Sequence, residues 1–225
     1  MFVYEKKLQY PVRITNPNPK LASVIISQYG GPDGELGASL RYLSQRYAMP
    51  YSELKGLLTD IGTEELGHLE MVAQTVNLLN GHDVDAQAVK AGEIQTHVMF
   101  GLTPGLVNSS GSPWTADYVT VTGDLCADLL ANIASEQRAK VVYEYLYRQI
   151  EDKKVRETID FLLNREEAHN QMFREAFNKV QDSGSNRDFG TTEAAKMYFS
   201  MSEPSPAESM QNVFENRDVT PPSFN

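Results

Sequence analysis

Two Glu-x-x-His motifs stand in corresponding positions of this chain, Glu65-Leu66-Gly67-His68 and Glu166-Glu167-Ala168-His169, each with a further glutamate thirty residues ahead of its own, Glu35 and Glu136. Residues three apart on an α-helix project from one face, so each motif offers a carboxylate oxygen and an imidazole nitrogen to one point in space. Four carboxylates and two imidazoles arranged this way are the donor set of a dinuclear, carboxylate-bridged metal centre inside a four-helix bundle. Oxygen-rich ligation with one imidazole per ion suits manganese or iron. Two redox-active ions side by side exchange two electrons with a substrate in one step, which suits peroxide or dioxygen.

The competing interpretation is solvated charge on helix surfaces. With 18 glutamates and 4 histidines in 225 residues, roughly 0.3 Glu-x-x-His matches arise by chance. Two copies with partners at the same lag are therefore a pattern. Periodicity supports it. Residues 52–80 carry an apolar stripe of Leu54, Leu57, Ile61, Val72, Val76 and Leu79 with Glu65 and His68 in its middle, where hydrophobes are expected. Residues 152–181 repeat the arrangement, with Val155, Ile159, Leu162, Phe173, Phe177 and Val180 around Glu166 and His169. Carboxylates and imidazoles on core-facing stripes are costly to desolvate without a compensating cation.

Four helices must position these groups. The first spans residues 20–48 and is interrupted at Tyr29-Gly30-Gly31-Pro32-Asp33-Gly34, where proline removes a ladder hydrogen bond and predicts a kink or bulge just before Glu35. The third, residues 124–150, carries Leu125, Leu129 and Ile133 ahead of Glu136. The connection over residues 81–123 is far longer than the handful that joins antiparallel neighbours. It implies a crossover that lets the third helix run parallel to the second. The expected fold is thus all-α, a ferritin-like four-helix bundle with a long crossover between its second and third helices. Residues 1–182 form this domain together with an extended N-terminal arm, and residues 183–225 form a polar tail, disordered alone or packed along a neighbouring subunit.

A net charge of −10 argues against nucleic acid or an anionic membrane as partner and favours divalent cations. No segment approaches the eighteen or so consecutive apolar residues of a membrane span, and the first residues lack the apolar run of a signal peptide. The lone Cys126 excludes a cysteine-based metal site and suits a reducing compartment. His82 belongs to a turn after Asn80-Gly81, and His97 has no partner at ligand spacing. Cys126 reads as a small buried residue. Tyr143, Tyr145 and Tyr147 alternate and cannot all face one way, so core and interface packing is their expected role.

The stretches Pro17-Asn18-Pro19, Tyr29-Gly30-Gly31-Pro32-Asp33-Gly34-Glu35-Leu36, Ile61-Gly62-Thr63-Glu64-Glu65-Leu66-Gly67-His68-Leu69-Glu70-Met71 and Ala131-Asn132-Ile133-Ala134-Ser135-Glu136 resemble the manganese catalases. The short spore-coat catalase-like members look most similar, and the likeness extends over residues 1–180. It implies dismutation of hydrogen peroxide to water and oxygen at two manganese ions per chain, with iron as the other metal of compatible chemistry. By matching position, Glu65 would bridge the ions, Glu35 and His68 would complete one, and Glu136 and His169 the other. Glu166 would stand outside the ligand set as proton acceptor and donor. Tyr42, two turns beyond Glu35, resembles a tyrosine that the family keeps beside the metal ligands, and also reads as a plain core residue. Larger members place Lys or Arg immediately before the third-helix glutamate, where this chain has Ser135, a departure that leaves the metal ligands intact; Arg138 and Lys140 are the candidates to compensate for that charge. The arm and tail resemble elements with which the family builds homo-hexamers, in the cytoplasm or, alternatively, on a spore coat. Two other functions remain open: a diiron peroxidase of the rubrerythrin kind, and a structural coat protein with a vestigial metal site.

Overall fold

The computed structural model describes residues 5, 7–81 and 104–183. Its helices are α1 (Pro19–Ile25), α2 (Ser27–Gly30), α3 (Glu35–Gln45), α4 (Ser52–Asn80), α5 (Leu125–Gln149) and α6 (Lys153–Asp182), with a 3-10 turn at Ala116–Tyr118. Among the described residues extended pairing is limited to an isolated bridge between Val107 and Pro113. His82, His97 and the polar tail beyond Ser183 lie outside the described residues, as does most of the crossover.

The first helical segment is more broken than the expected kink. Pro19 opens α1 with the Asn18 side chain accepting from Leu21 N–H, a favourable proline and cap pairing. The chain then breaks at Gly31-Pro32-Asp33-Gly34, and α3 starts afresh at Glu35. Close backbone approach explains the break: a β-carbon on Gly34 would meet the carbonyl oxygens of Gln28 at 2.7 Å and Ser27 at 2.8 Å. Only glycine fits there, and the proline beside it cannot continue a helical ladder. Glu35 consequently occupies the first turn of α3, where the helix dipole favours a carboxylate.

The long helices end where local chemistry dictates. α4 stops at Gly81, which takes φ of 72°, a left-handed conformation that glycine adopts without steric cost. Asp124 caps α5 by accepting from Cys126 and Ala127 N–H, and Asp152 caps α6 by accepting from Lys154 and Val155 N–H. Asp128 in the first turn of α5 accepts from Thr122 and Gly123, which ties the end of the crossover to the helix it feeds.

Helix α3 packs on α4, and α5 packs on α6. The first pair approaches closely at Gly62, whose carbonyl accepts from Ser39 Oγ at 2.7 Å. The apolar core falls into two clusters. One gathers Ile25, Val72, Val76, Leu79, Tyr143, Val155, Ile159 and Leu162; the other gathers Tyr42, Leu58, Ile61, Leu129, Phe173 and Val180. Helices α4 and α5 pass from the second cluster to the first, whereas α6 passes the opposite way, so α4 and α5 run parallel as a crossover requires. Helices α4, α5 and α6 each cross from one cluster to the other past Glu65, Glu136 and Glu166 respectively, and the polar layer is thereby walled off at both ends. Cys126 is buried in the second cluster. Among the described residues no helix is long and apolar enough to cross a membrane.

Candidate metal centre

Glu35, Glu65, His68, Glu136, Glu166 and His169 meet in that layer, each at most 2% exposed. Glu65 lies at the centre. Its Oε2 is 2.8 Å from His68 Nδ1, and its Oε1 is 2.7 Å from His169 Nδ1. Glu166 Oε1 stands 3.5 Å from His68 Nδ1, and Glu136 Oε2 stands 3.6 Å from His169 Nδ1. Donor atoms of Glu65, His68, Glu166 and His169 all fall within 4.8 Å of one another. The two imidazoles lie nearly parallel, 5.5 Å between centroids, and both turn Nδ1 towards the carboxylates.

Glu35 and Glu136 are held from across the bundle. Tyr42 on α3 donates its hydroxyl to Glu136 on α5, and Tyr143 on α5 donates to Glu35 on α3. Both phenols are held well above their usual pKa by burial and then by the neighbouring carboxylates, so they remain protonated donors. The pairs Glu35 and Glu136, Tyr42 and Tyr143, Glu65 and Glu166, His68 and His169 thus relate the two halves of the site.

The donors fit a pair of divalent ions. Glu65 Oε1, Glu136 Oε2, Glu166 Oε1 and His169 Nδ1 are buried without a hydrogen-bond partner; the 2.7 Å approach of His169 Nδ1 to Glu65 lacks the alignment of one. Native interiors rarely tolerate such atoms, and here they converge on one point. Hard carboxylate oxygens with one imidazole nitrogen per ion are the ligand chemistry of manganese and iron.

Electrostatics point the same way. Burial raises the Glu35 and Glu166 carboxyls well above the usual range, and the charge of Glu65 adds to the effect. Burial also opposes ionisation of Glu65, but His68 and His169 overcome it and hold this carboxyl below the usual range. Burial would lower both imidazoles; the surrounding carboxylates, Glu65 foremost, instead raise His68 well above its ordinary value and push His169 up to about 12. A cation entering the layer replaces protons that the site otherwise retains.

Two features escaped sequence reasoning. Tyr143, expected only to pack, is buried in the core and also bonds Glu35; the signal was its seven-residue spacing from Glu136, the same as Tyr42 from Glu35. Glu64 accepts Arg165 Nε at 2.7 Å and His169 Nε2 at 3.1 Å. Glu64 precedes Glu65 as Arg165 precedes Glu166, so this ion pair follows the repeat. The cations suggested to stand in for a basic residue at Ser135 are engaged elsewhere: Arg138 pairs with Asp33 at 2.7 Å, and Lys140 pairs with Glu167. Arg165 is the cation whose charge bears on Glu65 and Glu166.

Fold and layer together define a ferritin-like bundle protein with a dinuclear carboxylate and histidine metal site. Similarity narrows the class. The chain belongs to the family described as manganese containing catalase, whose profile matches residues 1–221. It is 58% identical to a probable manganese catalase of Clostridium acetobutylicum, over 100% of this chain and 98% of that protein. It is 46% identical to protein CotJC of Bacillus subtilis, over 78% of this chain and 93% of the relative. Among solved structures, KatB, a manganese catalase from Anabaena, superposes with a TM-score of 0.73 at 34% identity, covering 86% of each chain.

Proposed function

We propose that this chain dismutates hydrogen peroxide to water and oxygen at two manganese ions. The observation that carries the reading is the position of Glu65, which directs one oxygen to each imidazole, while Glu166 reaches His68 alone. Two carboxylates that are equivalent by sequence lag thereby take different roles. Glu65 would be shared between the two ions, Glu35 and His68 would hold one, and Glu136 and His169 would hold the other. When bound, the manganese pair supplies the two-electron change, cycling between dimanganese(II) and dimanganese(III).

The remaining work belongs to the protein. Burial and then three neighbouring carboxylates raise the Glu166 carboxyl well above its usual range, which favours its protonated, acid form, and its Oε1 has no hydrogen-bond partner among the described residues. It gives that proton to a peroxide oxygen as the O–O bond breaks and takes one back when the next peroxide is oxidised, the behaviour of a general acid and base. Tyr42 fixes the rotamer of Glu136. Apolar clusters at both ends keep the layer dry, which strengthens each of these interactions.

Metal analysis of protein produced with manganese, joined to oxygen-electrode measurement on added peroxide, tests the reading. Two manganese ions per chain with oxygen release is the expected result. Iron with reductant-dependent peroxide loss would favour a rubrerythrin-like peroxidase, and metal without oxygen release a structural coat protein. The bundle domain of residues 1–182 and the tail of residues 183–225 remain our division of the chain, with arm and tail serving a homo-hexamer. The cytoplasm is the proposed location, since a single cysteine suits a reducing compartment; the spore coat is the alternative.

A further inference from the structure

Both imidazoles turn Nδ1 to the carboxylate layer, so each must carry its hydrogen on Nε2 to leave an Nδ1 lone pair for a metal. Both Nε2 atoms point to a single side chain. Glu64 Oε2 lies 3.1 Å from His169 Nε2, and Glu64 Oε1 is the carboxylate oxygen facing His68 Nε2, 3.6 Å from that buried atom, which has no hydrogen-bond partner among the described residues. Glu64 is itself clamped. Arg165 meets it with both arms of the guanidinium, Nε to Oε1 at 2.7 Å and a terminal nitrogen to Oε2 at 3.2 Å, and Gln9 of the N-terminal arm donates to Oε1 at 2.7 Å.

We infer that Glu64, oriented by Arg165, is a positioning residue that holds both histidines in the Nδ1-ligating tautomer and so sets the affinity of the site for its two ions. The inference rests on the ligand set proposed above and deepens it. Charge supports the assignment. Glu35, Glu65, Glu136 and Glu166 carry four negative charges when ionised and two divalent cations carry four positive ones, so a further bare carboxylate beside the layer would unbalance it. Arg165 cancels that charge while Oε2 still accepts from His169 and Oε1 stays turned towards His68. A bidentate guanidinium fork suits this task, because it fixes the carboxylate plane in a way a lysine ammonium does not. The pair is also placed between the imidazoles and solvent: Glu64 is 19% and Arg165 33% exposed at the side chain, whereas both histidines are fully buried.

The test is equilibrium dialysis of the full chain against manganese(II), with metal analysis and the electron paramagnetic resonance spectrum of the loaded pair. Glu64→Gln offers an amide in place of the shared acceptor, and its manganese affinity should fall about tenfold to a hundredfold, the usual effect of losing a partner behind a metal ligand, with an altered spectrum. Glu64→Gln combined with Arg165→Gln should remain as weak, since the acceptor is still missing. Arg165→Lys, which keeps the charge and removes the fork, should weaken binding in the same direction by a smaller factor and keeps the test available should Glu64→Gln fold poorly. Unchanged affinity and spectrum in Glu64→Gln would overturn the inference while the ligand set stood. Recovery of native affinity in the double variant would also overturn it, because Glu64 would then serve only to neutralise Arg165. Failure of the unaltered chain to take up two ions would overturn the ligand set and this inference together.

Discussion

The hydroxyl of Tyr143 donates to Glu35 across the bundle, and Tyr42, on the helix that carries Glu35, donates to Glu136 on the helix that carries Tyr143. Seven residues separate glutamate from tyrosine in both helices, two turns on one face. Helices α3 and α5 therefore each contribute a carboxylate to the polar layer and a phenol that immobilises the carboxylate of the other. The reciprocal contact couples the two halves of the bundle at the depth of the site.

Replacing either tyrosine by phenylalanine should loosen one glutamate and leave the bundle folded. Tyr143→Phe and Tyr42→Phe are each expected to cost about 1 kcal/mol of stability and to weaken manganese retention about tenfold. Thermal melting and metal content after dialysis check both. Because the contacts are reciprocal, the two variants should resemble one another; a loss confined to Tyr42→Phe would show that Tyr143 only packs.

Glu65→Ala should abolish stable loading of two ions. Its two oxygens each face a different imidazole, and of the two imidazoles Glu166 comes within 4.0 Å of His68 alone, so among the described residues no other side chain stands equally close to both Nδ1 atoms. Metal analysis of the purified variant decides. Retention of two ions per chain would show that the bridge lies elsewhere.

The buried polar layer was legible because burial imposes periodicity: Glu65 and His68 interrupt a stripe that otherwise runs Leu54, Ile61, Val72 and Val76, and all of these are buried. Charge inside an apolar stripe is a strong signal. The start of a fresh helix at Glu35 was less visible, since the depth of a break at proline depends on which backbone comes close to the neighbouring glycines, here the Ser27 and Gln28 carbonyls. Tyr143 was hidden by its neighbours. Alternation with Tyr145 and Tyr147 suggested packing in several directions, and the inward choice of Tyr143 with Tyr145 exposed follows from helix phase relative to Glu136. Glu64 was the least legible. Next to Glu65 on a helix it points about 100° away and reads as a surface charge; only the approach of α6, with Arg165 and His169, makes it part of the site.

The metal-free protein should lose stability as pH rises through neutrality. Glu35, Glu166, His68 and His169 all have folded-state pKa values above their ordinary ones. Groups of this kind stabilise fully below the unfolded value and progressively less above it, for His169 up to about 12. Glu65 acts oppositely: its carboxyl is held below the usual range, so its contribution is present above the ordinary carboxylate pKa and is lost only on acidification. Manganese must displace the bound protons, so its affinity should rise over the same range in which the metal-free protein weakens. Melting in chelator and in manganese from about pH 5 to about pH 9 should give slopes of opposite sign. A flat metal-free profile would show that the layer does not hold these protons.

Glu166→Gln tests the division of labour between the two motif glutamates. The amide keeps the volume of the side chain and can still accept from a neighbour, so the packing of α6 and the approach to His68 are preserved. It cannot release and regain a proton near neutrality. Two manganese ions per chain should therefore remain, whereas oxygen release should slow about a hundredfold or more, the usual contribution of a positioned acid and base. Loss should appear in kcat with little change in metal content, which separates proton handling from ligation. If the variant instead sheds one ion, Glu166 is a ligand and the two halves of the site are alike. If turnover is unchanged, the proton moves through another group, and the raised pKa of Glu166 is a consequence of crowding among carboxylates rather than a tool of the reaction.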